Sequence, residues 1–369
     1  MSSEPTTLAP PALPEPAVTT TATASATSTA TAGREREREG SDFAQLARRI
    51  NEEGLLDRRP GYYTVRIGLT LAAFAGGWYA LFALGDTWLQ LVLAAGMSVV
   101  FTQLGLLAHD LAHRQVFGGR RASETGGRIV ANLLMGMSYG WWMNKHTRHH
   151  ANPNHEGRDP DVSPDIVVWS QQQARESRGA ARFIGRRLAY LFVPLLCLEG
   201  LNLSWNSFRA LRSPGMKRPW LEGSLLVLHF AAYLGVVLAA LPAEKAIAFL
   251  VVHQALLGIL LGCVFAPNHK GMLMVTPEMR LDFLRRQVLT SRNVRGNPVL
   301  DTLMGGLNYQ IEHHLFPSMP TPALPRAARI TRRFCAEKGI PYYETGLLRS
   351  YREIFTHLHR TGEPLRADH

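Results

Sequence analysis

Four long apolar segments constrain the fold of this chain more than any other feature. They cover residues 65–84, 88–108, 225–241 and 246–266, and only positions 85–87 separate the first two. A helix needs roughly 20 apolar residues to cross the hydrocarbon core of a bilayer, and each segment approaches that length. The sequence therefore predicts an all-α integral membrane protein whose four transmembrane helices form two hairpins.

Two shorter apolar stretches, at residues 129–142 and 188–203, are interrupted by polar side chains. Asn132 lies in the first, and Glu199 and Asn202 lie in the second. Polar groups inside a bilayer are costly, so these stretches are predicted to be interfacial or partly inserted helices and are not counted as spans.

The distribution of basic residues predicts the orientation of the spans. The turns inside the two hairpins hold one basic residue, Lys245, although the chain has 40 Lys and Arg residues and a net charge of +11. Because basic loops stay on the cytoplasmic side, both termini and the loops outside the hairpins are predicted to be cytoplasmic. The basic surface suits membrane lipids better than nucleic acid, which is not expected as a partner. The excess of Arg over Lys favours a bacterial plasma membrane as the location.

The sequence predicts three regions along the chain. Residues 1–40 are rich in Ala, Thr and Pro and then alternate in charge, without the apolar core of a signal peptide, so a disordered low-complexity N-terminus is expected. Residues 41–360 are predicted to form the membrane domain, and residues 361–369 a C-terminal tail. The three cysteines have no CxxC spacing, which favours a reducing compartment and excludes a readable iron–sulfur motif.

Seven of the fourteen histidines lie in three short windows at helical ligand spacing. Residues at i, i+3 and i+4 share one face of a helix, so each window can direct several imidazoles to one point. A structural zinc ion needs only four ligands, so this set predicts two metal ions, and its many imidazoles and few carboxylates favour iron. The seven are His109, His113, His146, His149, His150, His313 and His314.

These windows read His109-Asp-Leu-Ala-His113, His146-Thr-Arg-His-His150 and Gln310-Ile-Glu-His-His314. In this order they resemble the three histidine boxes of the membrane fatty acid desaturase family. The glutamine that opens the third box resembles the front-end branch, and bacterial acyl-CoA desaturases look similar. The resemblance covers about residues 61–351 and implies a di-iron site, held at a cytoplasmic helical cap by the seven box histidines as catalytic ligands. His269, in Pro267-Asn-His, is implied as an eighth metal ligand.

The resemblance also implies supporting residues around the metals. Gln310 and Asn268 are expected to hold a metal-bound water, and carboxylates are expected to accept the second ring N–H of ligating imidazoles. His155 is expected to support the site or the local fold. Three aromatic residues before the second box are expected either to line an acyl tunnel or to anchor the chain at the interface. The carboxylates are Asp110, Glu312, Asp159 and Asp161, and the aromatic residues are Tyr139, Trp141 and Trp142.

The implied function is insertion of a cis double bond into an acyl chain, using O₂ and two electrons at two iron ions. The front-end resemblance suggests the fifth or sixth carbon, and the acyl carrier stays open between CoA, acyl carrier protein and glycerolipid. The chain contains neither a His-Pro-Gly-Gly haem motif nor Gly-x-Gly-x-x-Gly. Electrons are therefore expected from a separate ferredoxin, cytochrome or flavoprotein reductase.

Two other functions are compatible with membrane histidines. A fatty acyl or lipid hydroxylase of the same superfamily would share nearly the same scaffold, and product analysis would separate it from a desaturase. A histidine-rich metal transporter would place its ligands near the bilayer midplane along a pathway, whereas these boxes lie at span ends.

Overall fold

Helices dominate the computed structural model, which describes residues 41–367. The two strands within that range, β1 (Asn293–Val294) and β2 (Glu344–Thr345), are two residues long and pair in parallel. Because strands are this short and helices make up most of the described residues, the all-α prediction is confirmed. Predictions for residues 1–40 fall outside the described residues. The compact unit that contains the spanning helices begins at Leu46. The α-helices are α1 Asp42–Glu52, α2 Pro60–Leu84, α3 Gln90–Ala112, α4 Arg120–Arg128, α5 Tyr139–Ala151, α6 Gln171–Glu176, α7 Gly179–Arg186, α8 Leu188–Leu196, α9 Glu199–Ala210, α10 Pro219–Ala240, α11 Ala243–His269, α12 Phe283–Leu289, α13 Pro298–Leu303, α14 Gln310–Leu315, α15 Leu324–Glu337, α16 Leu347–Thr361 and α17 Glu363–Ala367.

Helices α2, α3, α10 and α11 are long and apolar enough to cross a membrane. They form the two predicted hairpins: Gly85, with φ of +61°, ends α2, and Pro242 precedes α11. Exposed side chains along these helices include Leu69, Val92 and Val251, which is the arrangement that lipid contact requires. The four-span membrane fold is thus confirmed.

All four spanning helices extend past the predicted apolar segments at the end that carries the histidines. Polar residues in these extra turns find partners inside the protein: Asp110 pairs with Arg66 at 2.5 Å, and Glu222 accepts a hydrogen bond from Ser138 at 2.6 Å. Hydropathy alone stops at such residues, although a paired polar group can continue a helix. His109 therefore lies inside α3, and His269 is the last residue of α11, where the sequence had placed both beyond the spans.

Pro267 lies in the last turn of α11 without ending it. Proline has no N–H, so the carbonyl of Cys263, four residues earlier, loses its helical donor. The hydroxyl of Tyr351 in α16 donates to that carbonyl at 2.9 Å. This bond lets α11 continue to His269.

The two interrupted apolar stretches are broken helices. The first is a π-helix, Ile129–Met135, that ends at Gly136, where φ is +84° and an added Cβ would lie 2.6 Å from the ring of His229. The second is the pair α8 and α9, which meet at 69° and count as a fifth span only if taken together. Their treatment as interfacial elements remains a prediction.

Residues after α11 fold against the histidine-bearing ends of the spans. Arg292 donates to the backbone carbonyls of Pro267 and Lys270, and Thr290 contacts His269. In the region predicted as a C-terminal tail, residues 363–367 form helix α17 and Leu365 is buried. This layer is the predicted helical cap, and it completes the site described next.

Candidate metal centre

The eight predicted metal ligands converge in two adjoining groups. The larger group contains five histidines, each of which contributes one ring nitrogen to a set whose members all lie within 4.8 Å of one another. Facing Nε2 atoms are separated by 2.8 Å between His113 and His146, 3.0 Å between His146 and His150, and 3.1 Å between His150 and His313. The fifth member, His109, has its ring centre 4.6 Å from that of His313.

The smaller group contains His149, His269 and His314, again with one ring nitrogen of each within 4.8 Å of the others. All three are buried, and the Nε2 atoms of His149 and His269 are 3.2 Å apart. The two groups adjoin, because the rings of His150 and His314 stack at 4.2 Å. The second and third boxes therefore contribute to both groups.

This donor set fits metal ions. Nε2 atoms that face each other at hydrogen-bond distance need a proton or a cation between them. Nε2 of His314 and both ring nitrogens of His109 are buried without a hydrogen-bond partner within residues 41–367. Burial, reinforced by neighbouring histidines, holds the pKa of His146 and His150 well below the ordinary value. These imidazoles are therefore neutral near pH 7, as metal ligation requires.

The helix that carries the second box is fixed at its N-terminus. The Ser138 hydroxyl accepts from the backbone N–H of Trp141, and the buried Glu222 carboxylate accepts from that of Gly140. These bonds satisfy N–H groups that a helix start leaves free. The box histidines at i, i+3 and i+4 then share one face of α5. Trp142, one turn earlier, stacks on His146 at 4.3 Å.

Three acceptors orient the smaller group. The Asp159 carboxylate lies 2.9 Å from Nδ1 of His149, the Thr290 carbonyl 3.0 Å from Nδ1 of His269, and Oε1 of Gln287 2.9 Å from Nδ1 of His314. Each contact directs the opposite nitrogen, Nε2, toward the group. Burial opposes protonation of His149, yet Asp159 and Asp161 raise its pKa overall. Asp161 reaches Nδ1 of His149 at 3.4 Å.

Gln310 and Asn268 lie beside the smaller group. Nε2 of Gln310 is 3.0 Å from Nε2 of His269, and the Asn268 amide donates to Oε1 of Gln310 at 3.1 Å. Oδ1 of Asn268 is buried without a partner in the described part of the chain. Both side chains therefore stand where the sequence predicted a water-binding role, which stays a prediction.

The remaining predicted site residues have other partners. Glu312 accepts from Asn293 at 2.6 Å and from Tyr342 at 3.0 Å, and burial raises its pKa to about 7. Asp110 pairs with Arg66 and is 3.6 Å from Nδ1 of His109. His155 contacts the carbonyl of Glu156 through Nδ1.

The three aromatic residues before the second box all join the apolar core between the spans, and they differ in their other contacts. Trp142 lies at the site, with its ring 5.7 Å from that of His109. Tyr139 is buried under Arg128, and Trp141 packs against the buried core between the spans. A tunnel-lining role stays a prediction for all three.

Sequence reasoning missed Gln287, Thr290, Arg292 and Glu222. They lie in segments without box histidines, and only tertiary contacts bring them to the site. An available signal was the charge of Glu222 directly before the apolar segment 225–241, since buried charges need partners.

Replacing Gln287 by leucine is expected to weaken iron binding about 10- to 100-fold, because His314 loses its acceptor and the carbonyl of His150 loses a donor. Iron content of the purified protein against iron concentration measures this. Gln90→Leu is the matched control: Gln90 is also fully buried but bonds carbonyls at the first hairpin turn. Equal iron affinity of the two variants would contradict the assigned role of Gln287.

The model of the family described as "Fatty acid desaturase" matches residues 86–346, which include all eight clustered histidines. The chain belongs to the fatty acid desaturase family. An acyl-lipid (9-3)-desaturase of Physcomitrium patens is 29% identical over 89% of this chain, which spans 64% of that relative. A delta(5) fatty acid desaturase of Caenorhabditis elegans is 30% identical, with 81% of this chain and 69% of the relative covered. A delta(6) fatty acid desaturase of the same organism is 27% identical, with 88% and 76% covered.

This match confirms the family predicted from the three histidine boxes. The desaturases compared come from a moss and a nematode, so a bacterial source for this family member stays a prediction. In this chain, the seven box histidines and His269 form the two histidine groups.

Proposed function

We propose that this chain is a membrane fatty acid desaturase that introduces a cis double bond into an acyl chain, with O₂ and two electrons as co-substrates. The observation that carries this proposal is the pair of adjoining histidine groups at one end of four spanning helices. Delta(5) and delta(6) desaturases among the relatives, and the glutamine of the third box, support insertion at the fifth or sixth carbon.

Two iron ions are proposed, one in each histidine group. His109, His113, His146, His150 and His313 would hold the first, and His149, His269 and His314 the second. Iron bound there would supply the O₂ activation that removal of hydrogen from an unactivated methylene requires. His149 and His150 are consecutive on α5, which supports two neighbouring ions.

The contribution of the protein would be to hold the imidazoles rigidly and to shield part of the site from water. The Asp159 carboxylate accepts hydrogen bonds from the backbone N–H groups of Asn154 at 2.7 Å and Asp161 at 2.9 Å. These bonds hold the carboxylate in the position from which it orients His149. His313 and His314 are each 1% exposed. The three-histidine group is fully buried, which would keep reactive chemistry there away from solvent. His113, His146 and His150 are half-buried, and Trp142 over His146 covers part of that side.

The substrate and the electron donor are proposed at the level of class. The substrate is an acyl chain carried by CoA, acyl carrier protein or a glycerolipid. A ferredoxin, cytochrome or flavoprotein reductase would supply the electrons from outside this chain. No nucleic-acid partner is proposed.

The site and both termini are proposed to face the cytoplasm, in a bacterial plasma membrane. Lys245, the basic residue of the hairpin turns, pairs with Asp86 across the two turns. That pairing neutralises its charge and strengthens the asymmetry behind the positive-inside argument.

Lipid analysis tests the proposal. Cells expressing this chain are compared with cells expressing His149→Ala, and gas chromatography with mass spectrometry locates any new double bond. We expect a new unsaturated acyl chain only with the intact chain, while His359→Ala, an exposed histidine of α16, behaves like the intact chain. A hydroxylated product would instead identify a hydroxylase, and altered cellular metal uptake without any lipid product would identify a transporter.

A further inference from the structure

A cavity of about 160 Å³ lies outside the histidine groups. The segment after α5 supplies His155 and Arg158 to its wall, and the segment between α11 and α12 supplies Val275, Met279 and Arg280. Arg286 of α12 completes the basic lining. Three guanidinium groups therefore line one small space.

Arg158 and Arg280 are exposed to solvent, and Arg286 is half-buried. Within residues 41–367, no carboxylate forms a salt bridge with Arg158, Arg280 or Arg286, and the neighbouring Asp282 pairs with Arg285 instead. Nε of Arg286 is buried and has no hydrogen-bond partner there. A buried donor without an acceptor is costly, and like charges around one space repel, so this lining favours an anion.

The same segments hold the metal ligands. His155 and Val275 form a parallel backbone bridge, and the Asn154 side chain donates to the carbonyl of His269 at 3.0 Å. Arg286 directly precedes Gln287, which bonds His314 and the carbonyl of His150. An anion in the cavity would therefore contact the same segments that hold the histidines in place.

We propose that this cavity binds a phosphate group of the acyl carrier. The inference rests on the proposed function. The carrier headgroup of an acyl substrate must stay at the aqueous surface while the methylene groups of its acyl chain reach the proposed metals. Guanidinium groups bind phosphate through paired N–H donors, and the cavity has room for several water molecules, enough for the five heavy atoms of a phosphate. CoA thioesters and phospholipids share this group.

Binding measured without turnover tests the site. The full-length iron-loaded protein in detergent is titrated calorimetrically with CoA, and the double variant Arg158→Gln, Arg280→Gln is compared with Arg121→Gln, Arg329→Gln. The control pair removes the same charge from exposed arginines outside the cavity lining. If CoA is the source of the phosphate, the cavity variant is expected to weaken CoA binding about tenfold or more. Its KM for acyl-CoA would rise in parallel, with kcat unchanged.

A second arm uses vesicles of phosphatidylglycerol that contain the acyl substrate. If a phospholipid is the source, the cavity variant lowers conversion at limiting lipid and leaves CoA titration unchanged. The proposal is overturned if cavity and control variants behave alike in both arms. Arginine-dependent CoA binding without any unsaturated product would uphold the cavity and reject desaturation, so the two proposals fail separately.

Discussion

Alanine at His113 and alanine at His269 are each expected to abolish the unsaturated product and to lower the iron content from about two to about one per chain. His113 belongs only to the five-histidine group, and His269 only to the three-histidine group. Each variant therefore removes a ligand from one proposed ion and none from the other. Even residues that merely orient ligands cost 10- to 100-fold, so loss of a direct ligand should lower activity by more than about 100-fold.

Iron per chain, determined by elemental analysis of purified protein, is compared with product formation in the same preparations. His359→Ala serves as the control for loss of an imidazole, since that side chain is exposed. One iron in the intact chain would contradict the two-ion proposal. Full activity of either variant would remove the corresponding histidine from the ligand set.

Helix periodicity explains why the sequence predicted most of the histidines that the structure brings together. The spacing within each box puts the imidazoles on one face whatever the rest of the fold does, so the seven box histidines follow from local geometry. Their division into two groups does not. It depends on where α11 ends and how α14 is placed, which long-range packing decides.

The same geometry explains a predicted partner that the structure places elsewhere. In α14, Gln310, His313 and His314 lie at i, i+3 and i+4, whereas Glu312 is at i+2 and points to the opposite side. Its carboxylate therefore meets Asn293 and Tyr342. Asp159 contacts His149 because the turn after α5 folds back, a tertiary feature that spacing does not predict.

The sequence also predicts spanning helices that end too early on the side of the histidines, and the reason is physical. Hydropathy treats Asp110 and Glu222 as breaks, but both are buried with partners inside the protein. A paired buried carboxylate does not end a helix. The spanning helices therefore continue toward the site, and α3 and α11 carry His109 and His269 into it.

Arg292 and Glu353 form the ion pair whose disruption should destabilise this protein most. The Arg292 side chain is 1% exposed, and its guanidinium lies 2.6 Å from the Glu353 carboxylate. It also donates to the carbonyls of Pro267 and Lys270, on either side of His269. Glu353→Leu leaves the buried guanidinium without its counter-charge, and we expect a loss of about 3–5 kcal/mol in the free energy of unfolding.

Thermal and denaturant unfolding in one detergent, followed by circular dichroism, measures the loss. The matched control is Glu337→Leu, whose partner Arg49 is 44% exposed, so about 0–1 kcal/mol is expected there. If Arg292 leaves its buried position to regain water, the carbonyls beside His269 lose their donors. Iron should then be lost from the three-histidine group before the helices unfold. Equal stability of the two variants would show that Glu353 does not compensate the charge of Arg292, and retention of both irons would show that this pair does not position His269.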